Sequence, residues 1–289
     1  MRAAIDYPHL TDSQRDFIAT ALPGARLIAD LSWHLVDSCV LHCVSGNDEV
    51  IIKAGGADNH HIGREISAHD DDALQALIAR SAAPQLIAAD REARILCAEF
   101  LPGSLVEGTV SEAEPGISEQ AGELLRALHS ASESLDESIE RHMRKKALQW
   151  LNRPHRIPPA QADRAGEILR AHRPEPVIVV PSHGDFSPRN WIVHDGRVAL
   201  IDFGRFGHRP AVLDFLRIAG RQWRTYPATR AAFYRGYGLA EGIESSPQWL
   251  MAELREAIAT AAWAYKVGDE AFEREGRQRL SAVLARANR

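Results

Sequence analysis

Between Ser182 and Gly204 the chain reads SHGDFSPRNWIVHDGRVALIDFG, which sets His183, Asp185, Asn190 and Asp202 around a short apolar passage. Asp195-Gly196, in its middle, is a strong two-residue hairpin signal. WIVH and RVALID then fold back on each other, and Asp202 returns towards Asn190. Two oxygen donors on neighbouring strand ends suit Mg²⁺, which takes few protein ligands and leaves its other positions to water and phosphates. Asp185, on the loop just before them, would stand beside whatever approaches a phosphate held there, and it could receive a proton. The competing reading is a set of plain surface turns, where Asp and Asn are favoured by their local hydrogen bonding.

The elements that must position these residues come in two styles. A short helix near Thr11–Leu22 is stopped by Pro23-Gly24. Cys39–Val44 and Glu49–Lys53 flank SGND as a hairpin. Ile66, Leu74, Leu77 and Ile78 fit one stripe of a helix over Ile62–Arg80, and PQLIAAD and RILCAEF follow as two further strands around a polar turn. At Leu101-Pro102-Gly103 the character changes. Helices are expected over Ile117–Ser130, Leu135–Leu151 and Ala160–Ala171; the VIVVPSHGD strand interrupts them, and the text from Pro210 onward is helical. This order predicts an α+β fold with a strand-rich lobe over residues 1–100 and a larger helical lobe over 101–289.

The spacing H-x-D-x-x-x-x-N, then a hairpin and D-F-G, is the catalytic-loop pattern of kinases. With HGD in place of HRD, the chain resembles the aminoglycoside phosphotransferase family of small-molecule kinases, which have a protein-kinase-like two-lobe fold. The resemblance implies that Asp185 is the catalytic base, that Asn190 and Asp202 bind Mg²⁺, and that His183 supports the loop. It makes Lys53, at the end of EVIIK, the lysine that grips the α- and β-phosphates of ATP, with Glu65 in the next helix holding its ammonium forward. Taken singly, a Lys and a Glu are more often solvated surface charges. CAEFLPG resembles the family's hinge, so the carbonyl of Glu99 and the amide of Leu101 would bond the adenine edge. Asp214, in AVLDFL, matches a structural aspartate that ties down the catalytic loop.

Two departures accompany this likeness. No G-x-G-x-x-G precedes Lys53, and the corresponding loop, SWHLVD at Ser32–Asp37, has no glycine. No activation segment or A-P-E follows Gly204, since Pro210 already opens a helix, and this disfavours a protein acceptor. A pseudokinase that binds nucleotide without catalysis is the other alternative; against it, every group the chemistry needs is present.

Bulk properties exclude other classes. A net charge of −5 and a pI of about 6.2 carry no basic field for nucleic acid. No apolar run approaches the ~20 residues of a membrane span, and the opening MRAAIDYPHLTDSQRDF has no signal-peptide core. Cys39, Cys43 and Cys97, an odd number without metal-ligand doublets, fit packing roles in a reducing cytoplasm. His60, His61 and His69 with Asp70–Asp72 read as a polar loop entering a helix, and His129 as a packed helix residue. The expected partner is a small hydroxylated acceptor of a monomeric enzyme. From Glu241 to Glu275 eight acidic residues face three basic ones, which would suit a cationic antibiotic such as an aminoglycoside, and resistance as the outcome; solvated helix faces are the even alternative. Trp223, Trp263 and Tyr265 could line its pocket, though core packing is the commoner use of each. Macrolides, nucleoside antibiotics, choline-like alcohols and homoserine are the other acceptors the resemblance admits.

Overall fold

Thr11 opens helix α1 (Asp12–Ala21) with a capping box: its side chain accepts from the Gln14 amide, and the Gln14 side chain accepts from the Thr11 amide. Gln14 is buried and also donates to the carbonyls of Gly55 and Ala93, at 3.1 and 2.8 Å, which fixes the helix to the sheet behind it. That sheet is antiparallel. Its strands are β1 (Arg26–Asp30), β2 (Ser38–Ser45), β3 (Asp48–Gly55), β4 (Leu86–Asp90) and β5 (Ile95–Glu99), in the order β1-β2-β3-β5-β4. Between β3 and β4 lie helices α2 (His61–Ala68) and α3 (Asp72–Ile78). The computed structural model describes residues 7, 9–32, 38–240 and 243–287. Most of the glycine-free loop Ser32–Asp37 lies outside the described residues, as does Glu241.

The single helix expected over Ile62–Arg80 is two. Asp71 caps α3 by accepting from the Ala73 amide at 2.9 Å, so its side chain competes with continued helix and starts a new one. The helix expected from Leu135 also starts later. Ser134–Asp136 forms a short strand, β7, paired with β8 (Val177–Ser182), and Asp136 accepts from the amides of Ser138 and Ile139 to open α5 (Ile139–Leu151).

After β5 come β6 (Ser104–Leu105), α4 (Pro115–His129), β7, α5, α6 (Pro159–Ala171) and β8. β9 (Trp191–His194) and β10 (Arg197–Leu200) then form the hairpin anticipated around Asp195-Gly196, with Arg197 opposite His194 and Leu200 opposite Trp191. Asp195 and Gly196 take φ of 48° and 73°, the left-handed pair that a tight hairpin of the favoured twist requires. β11 (Gly207–Arg209) pairs with β8, and α7 (Val212–Ala219), α8 (Gln222–Thr225), α9 (Pro227–Tyr237), α10 (Pro247–Val267) and α11 (Glu270–Arg286) complete the helical part. The result is mixed α+β and kinase-like, with an antiparallel strand-rich N-terminal region and a helical C-terminal region.

One core lies between α1 and the five-stranded sheet and contains Leu41, Ile52, Ile95 and the three cysteines. Burial pushes those thiols up, to about 11 at Cys39 and Cys43 and about 12 at Cys97, so they pack as small apolar groups. The largest core joins Phe186, Trp191, Phe203 and Phe215 to α3, α4 and α9. Those four aromatics flank Asp185, Asn190, Asp202 and Asp214 in the sequence, so the polar groups are aimed from an anchored apolar base. A third core welds α5, α6, α10 and α11.

Candidate active site

β3 alternates, with Val50, Ile52 and Ala54 buried in the α1 core and Lys53 on the opposite face. Its ammonium is thereby turned towards α2. Asn59 opens that helix by accepting from the amides of His61 and Ile62, at 2.8 and 3.2 Å. Glu65, one turn further on and 4% exposed, receives Lys53 Nζ on both carboxylate oxygens, at 2.8 and 3.0 Å. Lys53 Nζ also reaches Asp202 Oδ1 at 3.2 Å. Burial works against the charged Lys53, but the carboxylates of Asp202 and Glu65 outweigh it and raise the lysine above its ordinary range. Lys53 is the first cause of the lowered pKa of Asp202, against opposing desolvation.

Asp202 is held in the left-handed region, φ 65°, a conformation that a non-glycine residue adopts at a cost. Neighbouring contacts enforce it. His183 Nε2 donates to the Ile201 carbonyl at 3.0 Å, the Ile201 amide donates to the Asn190 carbonyl at 3.0 Å, and His61 Nδ1 donates to the Gly204 carbonyl at 2.9 Å. The Asp202 side chain is 48% exposed.

The loop before it hangs from Asp214, which is fully buried. Its carboxylate accepts from Ser182 Oγ at 2.8 Å, the His183 amide at 2.9 Å and the Gly184 amide at 2.8 Å, and His129 Nε2 donates to it at 3.1 Å. Burial raises the cost of that charge, and the hydrogen bond and field of His129 offset it, with a lowered pKa as the net result. Gly184 has φ 77°, and a Cβ there would strike the Arg205 carbonyl, so HGD needs its glycine. His129, read from sequence as a packed helix residue, is buried and completes this network through Tyr237, whose hydroxyl is 2.8 Å from Nδ1.

Asp185 is 4% exposed. Three arginines surround it: Arg189 in direct ion pair, Arg205 Nε at 3.8 Å and Arg217 Nη1 at 3.8 Å. Burial alone would raise its pKa, but Arg217, Arg205 and Arg189 together hold it well below the usual carboxylate range. Asn190 Nδ2 donates to the Asp185 carbonyl at 2.8 Å, which commits the amide nitrogen to the main chain and leaves Oδ1 as the oxygen for a cation. One carboxamide oxygen and one half-exposed carboxylate, both hard donors, fit Mg²⁺. Glu99 ends β5, and Leu101, 9% exposed, follows it at the passage to the helical region.

The structure thus brings Lys53, Glu65 and Asp202 into contact and ties Asn190 to Asp185. Sequence reasoning passed over Arg189, Arg205 and Arg217. Of the acids between 241 and 275, Glu253 pairs with Arg286, Glu244 with Arg230, and Glu273 with Arg156 and Arg277, while Asp269 caps α11. Trp223 is buried against Phe233 and Tyr234, and the exposed face of Tyr265 is covered by Arg156. Among the described residues, no helix is long and apolar enough to cross a membrane.

The chain belongs to the phosphotransferase enzyme family (APH), which it matches over residues 59–257. Solved structures similar to it include a thermostable mutant of aminoglycoside phosphotransferase APH(4)-Ia in ternary complex with ADP and hygromycin B, at 14% identity and TM-score 0.68, covering 93% of this chain and 97% of that one. Choline kinase LicA from Streptococcus pneumoniae is similar at 17% identity and TM-score 0.65, covering 94% and 97%. Macrolide 2'-phosphotransferase MphH from Brachybacterium faecium is similar at 16% identity and TM-score 0.62, covering 93% and 98%. At such identities the likeness is one of fold. A search of curated proteins returns no match.

Proposed function

We propose that this protein transfers the γ-phosphoryl group of ATP to a hydroxyl of a small molecule. The observation that carries the reading is Lys53, bridged to Glu65 on one side and Asp202 on the other, beside the Asp185 loop. An ammonium held between two carboxylates from separate elements is preset to receive phosphate oxygens, and it costs no further ordering when they arrive. The main chain at Glu99 and Leu101 would take the adenine edge. Asn190 and Asp202 would hold Mg²⁺, which when bound supplies positive charge against the phosphate oxygens.

In the reaction the acceptor oxygen forms a bond to the γ-phosphorus, and the bond from that phosphorus to the β–γ bridging oxygen breaks. ADP leaves, and the hydroxyl proton passes to Asp185 and then to water. A carboxylate of such low proton affinity is a weak base, so Asp185 chiefly orients the hydroxyl and accepts its proton late. Most of the acceleration in phosphoryl transfer comes from positioning and charge neutralisation. Arg189 must yield its place on Asp185 as the hydroxyl enters.

The names of the structural neighbours span aminoglycosides, macrolides and choline. Their common chemistry, a hydroxyl on a compact organic molecule, is the level at which the acceptor is proposed, with antibiotics and metabolic alcohols both in its range. The test is an assay of MgATP-dependent phosphate transfer over a panel of hydroxylated antibiotics and metabolites. A phosphorylated product supports the reading; a protein that neither binds MgATP nor forms ADP contradicts it.

A further inference from the structure

The surroundings of Asp185 hold more positive charge than its one carboxylate can use. Arg205 and Arg217 stand 3.8 Å from it, beyond hydrogen-bond reach, so neither is saturated by that contact. Arg217 has one further acid, Glu256 of α10, at 3.2 Å. The side chains of Arg189 and Arg205 remain 43% and 37% exposed. Burial, with the like charges of Arg217 and Arg189, outweighs the pull of Asp185 and lowers the pKa of Arg205. Against its burial, Glu256, Asp185 and Asp214 raise the pKa of Arg217, so the shortfall of counter-charge falls on Arg205.

The acids that could have supplied it are engaged elsewhere. Glu253, Glu273 and Glu244 are spent in ion pairs with Arg286, Arg156 and Arg230. Among these helices, Glu256 is the acid that reaches the cluster, and it faces Arg217. A cationic acceptor approaching Asp185 would therefore meet three guanidinium groups. An acceptor with its own anionic oxygens would find donors already oriented and only partly satisfied.

From the juxtaposition of Arg189, Arg205 and Arg217 around Asp185, we infer that the acceptor carries a carboxylate or phosphate group near the hydroxyl that is phosphorylated. This rests on the phosphotransferase reading above and narrows it. The guanidinium groups bind the anionic group by charge-assisted, paired hydrogen bonds. In doing so they release Asp185 to face the hydroxyl, so that binding of the correct acceptor frees the carboxylate that orients it.

The test uses the full chain with MgATP and matched acceptors that differ only in charge: hydroxycarboxylates against their amides and the corresponding amino alcohols, and sugar phosphates against the parent sugars. The expected result is a kcat/KM at least about tenfold higher for the anionic member of the preferred series, the scale of one hydrogen bond to a charged group. The carboxylate and phosphate arms identify which anion is used. A preference for neutral or cationic members overturns the inference while leaving the kinase reading intact; failure to bind AMP-PNP or to form ADP would instead remove that reading. In parallel, calorimetry follows inorganic phosphate binding to protein saturated with Mg²⁺ and AMP-PNP, where the nucleotide's own phosphate positions are filled. Phosphate should bind, and Arg217→Gln and Arg205→Gln should each weaken it, the latter changing a side chain that is 37% exposed. No phosphate binding in this form, or binding unaffected by both variants, means that the arginines serve the transferred phosphoryl and not the acceptor, and overturns the inference.

Discussion

Lys53 Nζ and Asp202 Oδ1 lie 3.2 Å apart although 149 positions separate them in the chain. The contact joins the strand-rich region to the segment that closes the β9–β10 hairpin. With Glu65 on its other side, Lys53 stays charged within a largely buried setting. Lys53→Met removes the ammonium and leaves the Glu65 and Asp202 carboxylates facing each other uncompensated. MgATP affinity, measured by calorimetry, should fall by about tenfold or more, the scale of one charge-assisted hydrogen bond. An unchanged affinity would show that the phosphates lie elsewhere.

Asp185→Asn keeps the shape of the loop and removes the charge. Turnover should drop by a factor of ~10² or more, the usual size of a general-base contribution, while AMP-PNP affinity is largely retained. The folded-state pKa is depressed, so the carboxylate is ionised at every pH above the ordinary aspartate value of ~3.9. The kcat/KM profile of the parent should therefore show no loss through this group between about pH 8 and pH 5. An acid limb near neutrality that disappears in the variant would contradict the assignment.

Asp202→Ala tests the cation site. Mg²⁺-dependent enhancement of nucleotide binding should be lost, while circular dichroism still reports the parent fold, because the Asp202 side chain is half exposed and belongs to no core. A variant whose nucleotide affinity still rises with added Mg²⁺ to the same extent as the parent would move the metal to other residues.

Asp214 gives a prediction about stability. It is fully buried and accepts four hydrogen bonds, from Ser182, His183, Gly184 and His129. Asp214→Ala leaves those donors without a partner and should cost about 3–5 kcal/mol, as breaking a buried ionic network does. Its folded pKa lies below the unfolded value, so its stabilising contribution is present above the unfolded value of ~3.9 and is lost as pH falls through the folded one. In denaturant melts the gap between parent and variant should be full at pH 7 and shrink below about pH 4. A gap that grows on acidification would reverse the sign of the argument.

Local chemistry was legible in the sequence where it is also local in space. Asp195-Gly196 announces its hairpin because only a left-handed pair closes a two-residue turn, and HGDFSPRN followed by DFG carries the loop and the return of Asp202. Two boundaries were missed for a related reason. Asp71 and Asp136 act as helix caps, and nothing in HDDDA or SLDES distinguishes a capping aspartate from a solvated one until the chain direction is known. The arginines around Asp185 were illegible for a different one. Arg189, Arg205 and Arg217 come from a single 3-10 turn, a tight turn and an α-helix, and no periodicity marks that they converge. Part of the acidic excess near the end of the chain is likewise paired at a distance in sequence: Arg156 and Arg286 lie 117 and 33 positions from their partners Glu273 and Glu253.

The central claim, phosphoryl transfer oriented by Asp185, is met most directly by ³¹P NMR of the protein with MgATP and a panel of hydroxylated small molecules. A new phosphomonoester resonance should grow in step with ADP for at least one acceptor, and Asp185→Asn, still binding AMP-PNP, should form it at least about a hundredfold more slowly. A phosphomonoester that forms equally fast with the parent and with Asp185→Asn would contradict the account.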